Sequence, residues 1–451
     1  MQRVTVRRRS HFGGVRYAKS CRDNFRKKYS IGAMWHVHTP RIVGWLSHDR
    51  DMHPPNLIHF ARADFHGDQR AFGIKDEDRF SHVYIIGKTG TGKSTLLETM
   101  AQQDIERGCG LALIDPHGDL VERIAAQVPE RRASDVIYLN ASDPSQPYGY
   151  NPLRHVRDDR IALAASGFIE VFKKMWPDAW GVRMEHILRN VLMALLEQPH
   201  ATLHDVLRLL SDRKFRAEIG QHLKNETVRA FLLNEFDRFS FGYRADGTAP
   251  IQNKVGAFLS DPMLNRLLTA PDHDLHVRQI MDEGRVLLVN LAKGRIGEDS
   301  SSLLGGLLVT TLGLAAFNRA ELPAHERRDF FIYVDEFQNF TTLAVANMFA
   351  ELRKYRVGFT VAHQYLHQLE PDVRHAVLGN AGTIVSFRVG SEDATYLARE
   401  FQERFDEVDL LQLPNYRVYL KLMIDGVPSR PFSAMTIQPR TNVISEFGAP
   451  L

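Results

Sequence analysis

Apolar residues recur along this chain in two rhythms. Short unbroken runs, among them Val83-Tyr84-Ile85-Ile86, Leu111-Ala112-Leu113-Ile114, Val286-Leu287-Leu288-Val289 and Phe330-Phe331-Ile332-Tyr333-Val334, alternate with stretches of helical spacing. Runs of this length suit strands covered on both faces, and their alternation with helices predicts a mostly parallel, doubly wound α/β sheet. A small antiparallel lead-in is expected at 57–65 and 71–74, turning at His66-Gly67-Asp68. Strands follow over 82–86, 110–114 and 136–139, with helices over 93–107 and 120–126. From about 158 to 275 the β signal disappears. There Met184, Ile187, Leu188, Val191, Leu192, Leu195 and Leu196 keep helical i, i+3, i+4, i+7 spacing, and Thr202-Leu203-His204-Asp205 has the form of a capping box. Strands resume over 286–291, 330–334, 358–362 and 383–389, with a helix over 345–352. The pair 416–424/430–437 reads as a closing hairpin around Asp425-Gly426, with a loop longer than two residues. The plan is an arm (1–52), the first part of an α/β domain (53–157), an all-α insertion (158–275) and the second part of the α/β domain (276–451).

The strand at 82–86 runs into Gly87-Lys88-Thr89-Gly90-Thr91-Gly92-Lys93-Ser94-Thr95 and then a helix. Gly-x-x-x-x-Gly-Lys-Ser between strand and helix is a phosphate-binding loop. Its backbone N–H groups and the positive end of the helix cradle phosphates, Lys93 reaches the β/γ-phosphates, and Ser94 supplies an oxygen for Mg²⁺. Residues 87–95 are therefore the expected nucleotide-binding set. Asp115-Pro116-His117-Gly118 imitates the Asp-x-x-Gly of a Ras-like GTPase, but Asn253-Lys254-Val255-Gly256 fails the companion Asn-Lys-x-Asp, which points away from GTP. Phe330–Val334 followed by Asp335-Glu336 has the form of a Walker B strand. Asp335 is expected in the Mg²⁺ shell and Glu336 as the base for the attacking water. Gln364, at the end of the strand 358–362, suits a sensor that hydrogen-bonds the γ-phosphate and the water. Arg388, after the strand that begins at Thr383, is the first candidate for an arginine supplied to a neighbouring subunit, and Arg374 the second. The role of Lys293-Gly294-Arg295 is open. His363 has no comparable argument and stays outside the site.

Charge changes the picture at one end only. Residues 1–50 carry twelve Lys and Arg against Asp23 and Asp49, leaving a net −7 for the rest of a chain whose total is +3. Such an arm reads as a contact for nucleic acid or anionic lipid, as an Arg-rich targeting segment, or as an extension without structure. Cys21 and Cys109 are the two cysteines, so no disulfide framework is implied and a reducing cytoplasm fits. No stretch reaches the ~18 uninterrupted apolar residues of a membrane span; the nearest, Leu303 to Phe317, reads as a buried helix. Trp176 and Trp180 follow Lys173 and Lys174, a mix that could stack on unpaired bases but reads first as core packing.

The order of several short pieces carries a resemblance. Phe72-Gly73-Ile74, Asp78-Arg79, His82, the loop at 87–94, Asp115-Pro116-His117-Gly118-Asp119 and Asn151-Pro152-Leu153 open it. Trp180-Gly181, Asn290 to Gly297, Val334-Asp335-Glu336-Phe337-Gln338 and Ala362-His363-Gln364 continue it. Together they look like the HerA/FtsK superfamily and, more narrowly, the TraD/TraG-like coupling ATPases of conjugative and type IV secretion systems. That resemblance implies a RecA-like P-loop NTPase domain with an inserted all-α domain, forming a hexameric ring that hydrolyses ATP with Mg²⁺ and moves DNA. It also implies a relaxase and secretion-channel components as partners. Coupling proteins of this kind commonly begin with transmembrane helices, and none is legible here, so the expectation is a cytoplasmic motor, peripheral at the inner membrane. The alternatives are a HerA-like DNA-processing motor, a protein-secretion motor and a nucleotide-gated assembly module with little turnover.

Overall fold

The computed structural model describes residues 56–64, 70–154, 156–269, 274–402 and 404–439; the basic arm and the expected turn at 66–68 lie outside them. The strands are β1 (Leu57–Ala63), β2 (Ala71–Lys75), β3 (Val83–Ile86), β4 (Gly110–Asp115), β5 (Val136–Asn140), β6 (Val286–Asn290), β7 (Phe330–Val334), β8 (Val357–His363), β9 (Thr383–Ser386), β10 (Arg417–Lys421), β11 (Met423–Ile424), β12 (Val427–Pro428) and β13 (Phe432–Thr436). Eleven of them form one sheet in the order β2-β1-β13-β10-β9-β3-β8-β7-β4-β6-β5. From β9 to β5 the pairing is parallel; β10, β13, β1 and β2 extend it in antiparallel fashion.

Side-chain pattern accounts for the division. Every residue of β3, β4, β6, β7, β8 and β9 is buried, as strands with helices on both faces must be. β10 instead alternates half-buried and buried positions, the mark of a sheet with one open face. The sheet divides two apolar cores. Val83 and Ile85 pack with the helix Lys93–Arg107 on one side, whereas Tyr84 and Ile86 face the other, where helices between Ile161 and Thr269 share a continuous core with the sheet. The helix Glu298–Asn318 is long and apolar enough to cross a membrane, yet 83% of its apolar window is buried, and it packs against Ile161–Met175 as a core helix.

Most boundaries shift by one or two residues, and two differences from the sequence reading have a local cause. β9 stops at Ser386 rather than continuing to 389, because the next residues leave the strand geometry to follow the phosphate loop: Phe387 N donates to Ile86 O (2.8 Å) and Arg388 O accepts from Lys88 N (2.8 Å). The closing hairpin pairs β10 with β13 as expected, but its tip is tight. β11 and β12 meet across the two residues Asp425 and Gly426, whose φ angles of 52° and 77° suit a type I′ turn. The Asp78 carboxylate holds that turn, accepting from Asp425 N at 3.0 Å and Gly426 N at 2.8 Å.

Candidate active site

β3 is central, with β8 on one side and β9 on the other, and the loop that follows it turns at the carboxyl edge of the sheet. Gly90 (φ 75°) and Gly92 (φ 122°) take left-handed backbone that a side chain would strain. Thr91 braces the turn, its Oγ1 donating to Lys88 O at 2.7 Å, while Thr89 and Gly90 lie exposed at the crest. The helix begins at Lys93, so its unpaired N–H groups and partial positive charge end inside the loop. Lys93 Nζ donates to Gly87 O at 2.7 Å and to Lys88 O at 3.3 Å. Burial pulls its pKa below the ordinary lysine value, and the neighbouring Asp335 and Glu336 carboxylates act in the opposite sense.

The two sequence motifs meet. Ser94 Oγ donates to Asp335 Oδ2 at 2.8 Å across a separation of 241 residues, because β8 alone lies between the phosphate-loop strand and β7. Asp335 is buried, and its carboxyl is pushed up to about 6 by burial and by Glu336, against the Ser94 bond and the Lys93 charge. Two hard oxygen donors bearing surplus negative charge form a setting that a small divalent cation would relieve.

Glu336 leaves the strand in left-handed backbone (φ 48°), its N–H donating to Asp335 Oδ1 at 2.9 Å. That turn aims the carboxylate sideways into two amides. Gln364 Nε2 donates to Oε1 at 2.9 Å, and Gln338 Nε2 to Oε2 at 2.6 Å. Gln364 thus touches the very group expected to activate water. Gln338 enters the sequence reading only as the last residue of the landmark Val334–Gln338, not as a site residue; a short 3₁₀ turn, Phe337–Asn339, folds it back here.

A second residue that the sequence reading did not place here supports that turn from outside the sheet. Lys174, near the end of the helix Ile161–Met175, donates through Nζ to Gln338 O and, at 2.7 Å, to Thr341 O. Burial lowers its pKa to about 8, with Glu370 opposing. The neighbouring Trp176 is 4% exposed and stacks on Phe172 with ring centroids 5.0 Å apart, so packing, not base stacking, describes this stretch.

The remaining expected residues lie as follows. Arg388 sits on the β9 side of its own phosphate loop. Its guanidinium donates to Leu413 O at 3.1 Å and Asn415 Oδ1 at 3.0 Å. Arg374 lies over the Tyr396 ring at 5.5 Å. Lys293 pairs with Glu298 at 2.6 Å, and Arg295 is exposed. His363 is fully buried against Tyr84 Oη; burial and the Lys93 charge lower its pKa to about 3, so it stays neutral.

Several landmarks of the resemblance are braces in this structure. Asp115 accepts from His117 N (2.8 Å) and Leu120 N (2.9 Å), turning the chain from β4 into the next helix. Asn290 is packed against Gly118, where a Cβ would lie 2.3 Å from its Oδ1. Asn151 donates through Nδ2 to Ala201 O at 2.7 Å, tying the approach to the helical segment. His82 accepts from Phe359 N at Nδ1 (3.1 Å), so its Nε2–H donates to Phe349 O (2.6 Å).

Comparison with known proteins follows this geometry. The family model for the type IV secretion-system coupling protein DNA-binding domain matches residues 72–413. A structure of the plasmid coupling protein TrwB in complex with ADP and Mg²⁺ is similar at 16% identity and TM-score 0.60, covering 85% of this chain and 95% of that one. An unbound monoclinic form of the bacterial conjugative coupling protein TrwB is similar at 17% identity and TM-score 0.59, covering 85% and 88%. VirB4 of Thermoanaerobacter pseudethanolicus is similar at 13% identity and TM-score 0.54, covering 87% and 99%. At these identities the likenesses show a shared fold. No curated protein matches the chain. The α/β fold is RecA-like and of the P-loop NTPase type, and the family model spans about three-quarters of the sequence. The chain belongs to the family of type IV secretion-system coupling proteins, by their DNA-binding domain.

Proposed function

We propose that this protein is a Mg²⁺-dependent ATPase that works as a hexameric ring and uses the hydrolysis cycle to move DNA during conjugative transfer. One observation carries the reading: Ser94, Asp335, Glu336 and Gln364 form a continuous hydrogen-bonded chain beside Lys93 at the mouth of a phosphate loop. In this reading residues 87–95 bind the phosphates. Ser94 and Asp335 hold Mg²⁺, which shields phosphate charge. Glu336 takes the proton of the attacking water, and Gln364 reports on the γ-phosphate through the bond it shares with that carboxylate. An arginine from the neighbouring subunit, Arg388 in the first instance, meets the charge that grows in the transition state.

TrwB structures hold ADP with Mg²⁺, an ATP analogue and a GTP analogue, which supports a nucleotide at the corresponding loop here. DNA as cargo, a relaxase and secretion-channel components as partners, and a cytoplasmic position at the inner membrane belong to the same proposal; the match to a coupling-protein DNA-binding domain supports the DNA part of it. The division into 53–157, 158–275 and 276–451 belongs to the same proposal. The test is ATP turnover with no DNA, single-stranded DNA or double-stranded DNA at several salt concentrations. DNA should stimulate turnover, and the stimulation should fall as salt rises, because phosphate contacts release counterions. Turnover indifferent to DNA would instead support a motor for protein secretion.

A further inference from the structure

The residues that serve the γ-phosphate all lie on one flank of the phosphate loop. Asp335, Glu336, Gln338 and Gln364 follow β7 and β8, and the Ser94 bond turns the start of the helix toward them. A nucleotide that presents its terminal phosphate there must carry ribose and base away over the opposite flank, which β9 and β10 form. Among the described residues, that flank carries one exposed aromatic ring.

Tyr416 stands just before β10. Its ring lies against the loop: a Cβ on Gly92 would be 2.8 Å from Tyr416 Cδ1. Its backbone is held three times. The N–H donates to Thr91 O at 2.8 Å, and the carbonyl accepts from Thr436 N at 2.8 Å and Thr436 Oγ1 at 3.1 Å. Arg388 secures the preceding residues through Leu413 and Asn415. This fixation keeps a non-glycine residue at φ 64°, a costly conformation that persists only where surrounding contacts impose it. The neighbouring Phe387 is buried in the core, yet Tyr416 is 39% exposed. Packing therefore accounts for Phe387 and leaves the outer face of Tyr416 unexplained.

We propose that Tyr416 is the platform on which the base and ribose of the bound nucleotide rest. The proposal rests on the nucleotide reading above and adds the recognition element for the end of the ligand that the phosphate loop does not touch. Every purine has a π-face, so a platform of this kind contributes affinity without choosing between adenine and guanine.

The test uses the full chain with three probes: ATP, GTP and inorganic tripolyphosphate, the last carrying the phosphates without base or ribose. Asparagine tolerates left-handed backbone, so Tyr416→Asn removes the ring while respecting the local geometry; Tyr416→Phe keeps the ring. Tyr416→Asn should raise KM and Kd for ATP and GTP alike by about 10-fold, the scale of one aromatic–base stack, with kcat at saturation and tripolyphosphate affinity unchanged. Tyr416→Phe should match the native protein. Equal weakening of tripolyphosphate and ATP in Tyr416→Asn, or unchanged ATP affinity, overturns the platform. If Tyr416→Asn does not fold, loss of ATP affinity in Tyr416→Gly, which meets no cost in left-handed backbone, with tripolyphosphate binding retained supports it, and retention of both overturns it. A native protein that binds neither tripolyphosphate nor ATP would defeat the nucleotide reading itself, and the platform with it.

Discussion

The helix Lys93–Arg107 has buried charge near both ends, arranged in opposite ways. Toward its C-terminus, Asp104 receives Arg79 through Nη1 at 2.8 Å and Nη2 at 2.7 Å, and Tyr333 Oη completes the second oxygen. Asp76 joins Arg79 to Arg107, and the Arg79 guanidinium lies 3.4 Å from the centre of the Phe331 ring. Each carboxylate there faces a cation, and Arg79 is held charged, its pKa raised chiefly by Asp104 against the opposing cost of burial. At the N-terminus, Asp335 and Glu336 share one lysine, a hydroxyl and two amides, and Asp335 is pushed up to about 6. A matched cluster has little left to offer a ligand and serves to fix the helical turn Asp76–Arg79, β7 and the helix together. An under-matched cluster, with more carboxylate than cationic charge, is the kind that a divalent cation relieves. On the proposed reading, the contrast gives fold to one end of the helix and chemistry to the other.

The largest expected effect breaks the chemical end without touching the other. Arg388→Ala should fold and bind ATP but lose about 10³–10⁵ in turnover if its charge serves a neighbouring subunit. Mixing it with Glu336→Gln should restore part of the rate through hybrid interfaces with one intact site. A defect confined to a raised KM for ATP, with no rescue on mixing, would leave Arg388 only the support it gives the residues before Tyr416 in its own subunit. Arg374 or Arg295 would then be tested for the trans role.

Glu336→Gln should lose about 10²–10⁴ in kcat, the scale of a general base. It should retain ATP binding and show no fall in thermal midpoint, since it removes one of two adjacent negative charges. Lys93→Ala should weaken ATP binding itself; equilibrium binding beside turnover separates the two, and equal loss of affinity in both variants would contradict the assigned roles. Asp104→Ala should do the reverse of Glu336→Gln. Leaving Arg79 buried without its main partner should cost about 3–5 kcal/mol in denaturant unfolding, while the folded fraction keeps a native KM. A stable Asp104→Ala variant with impaired kcat would erase the distinction between the two ends.

The smallest effect probes how the helical segment reaches the chemical end. Lys174→Met removes the donor to Gln338 O and Thr341 O, so the turn holding Glu336 should lose definition. The expected result is a fall in kcat of about 10-fold, in keeping with the cost of small displacements of a reacting group. KM for ATP should be unchanged, and Lys174→Arg should recover most of the rate. An unchanged kcat would make Lys174 a packing residue only.

Much of this was legible because the local rules agreed. Continuous apolar runs marked β3, β4, β6, β7 and β8, and Gly-rich punctuation set the loop at 87–92 and the start of its helix at Lys93. The hairpin tip is tighter than the sequence reading because that reading starts the return strand at 430, past Pro428, although Val427 and Pro428 already pair back, and the Asp78 carboxylate shows why Asp425-Gly426 closes there. Gln338 and Lys174 were not legible as site residues. A glutamine after an acidic pair carries no periodic signal, and a lysine at the end of a helix looks solvated until its two carbonyl acceptors are known.

The sequence by itself therefore determined the pieces whose chemistry is local: the phosphate loop, the acidic strand end and the alternation that calls for a parallel sheet, each set by neighbouring residues and their backbone preferences. The tertiary structure decided what depends on strand order. Placing β8 alone between β3 and β7 brings Ser94 to Asp335 and Gln364 to Glu336, while placing β9 and β10 on the other side puts Tyr416 against Gly92. Spacing along a chain cannot specify which distant strands become neighbours, because that choice is made by burial of whole faces rather than by any one segment.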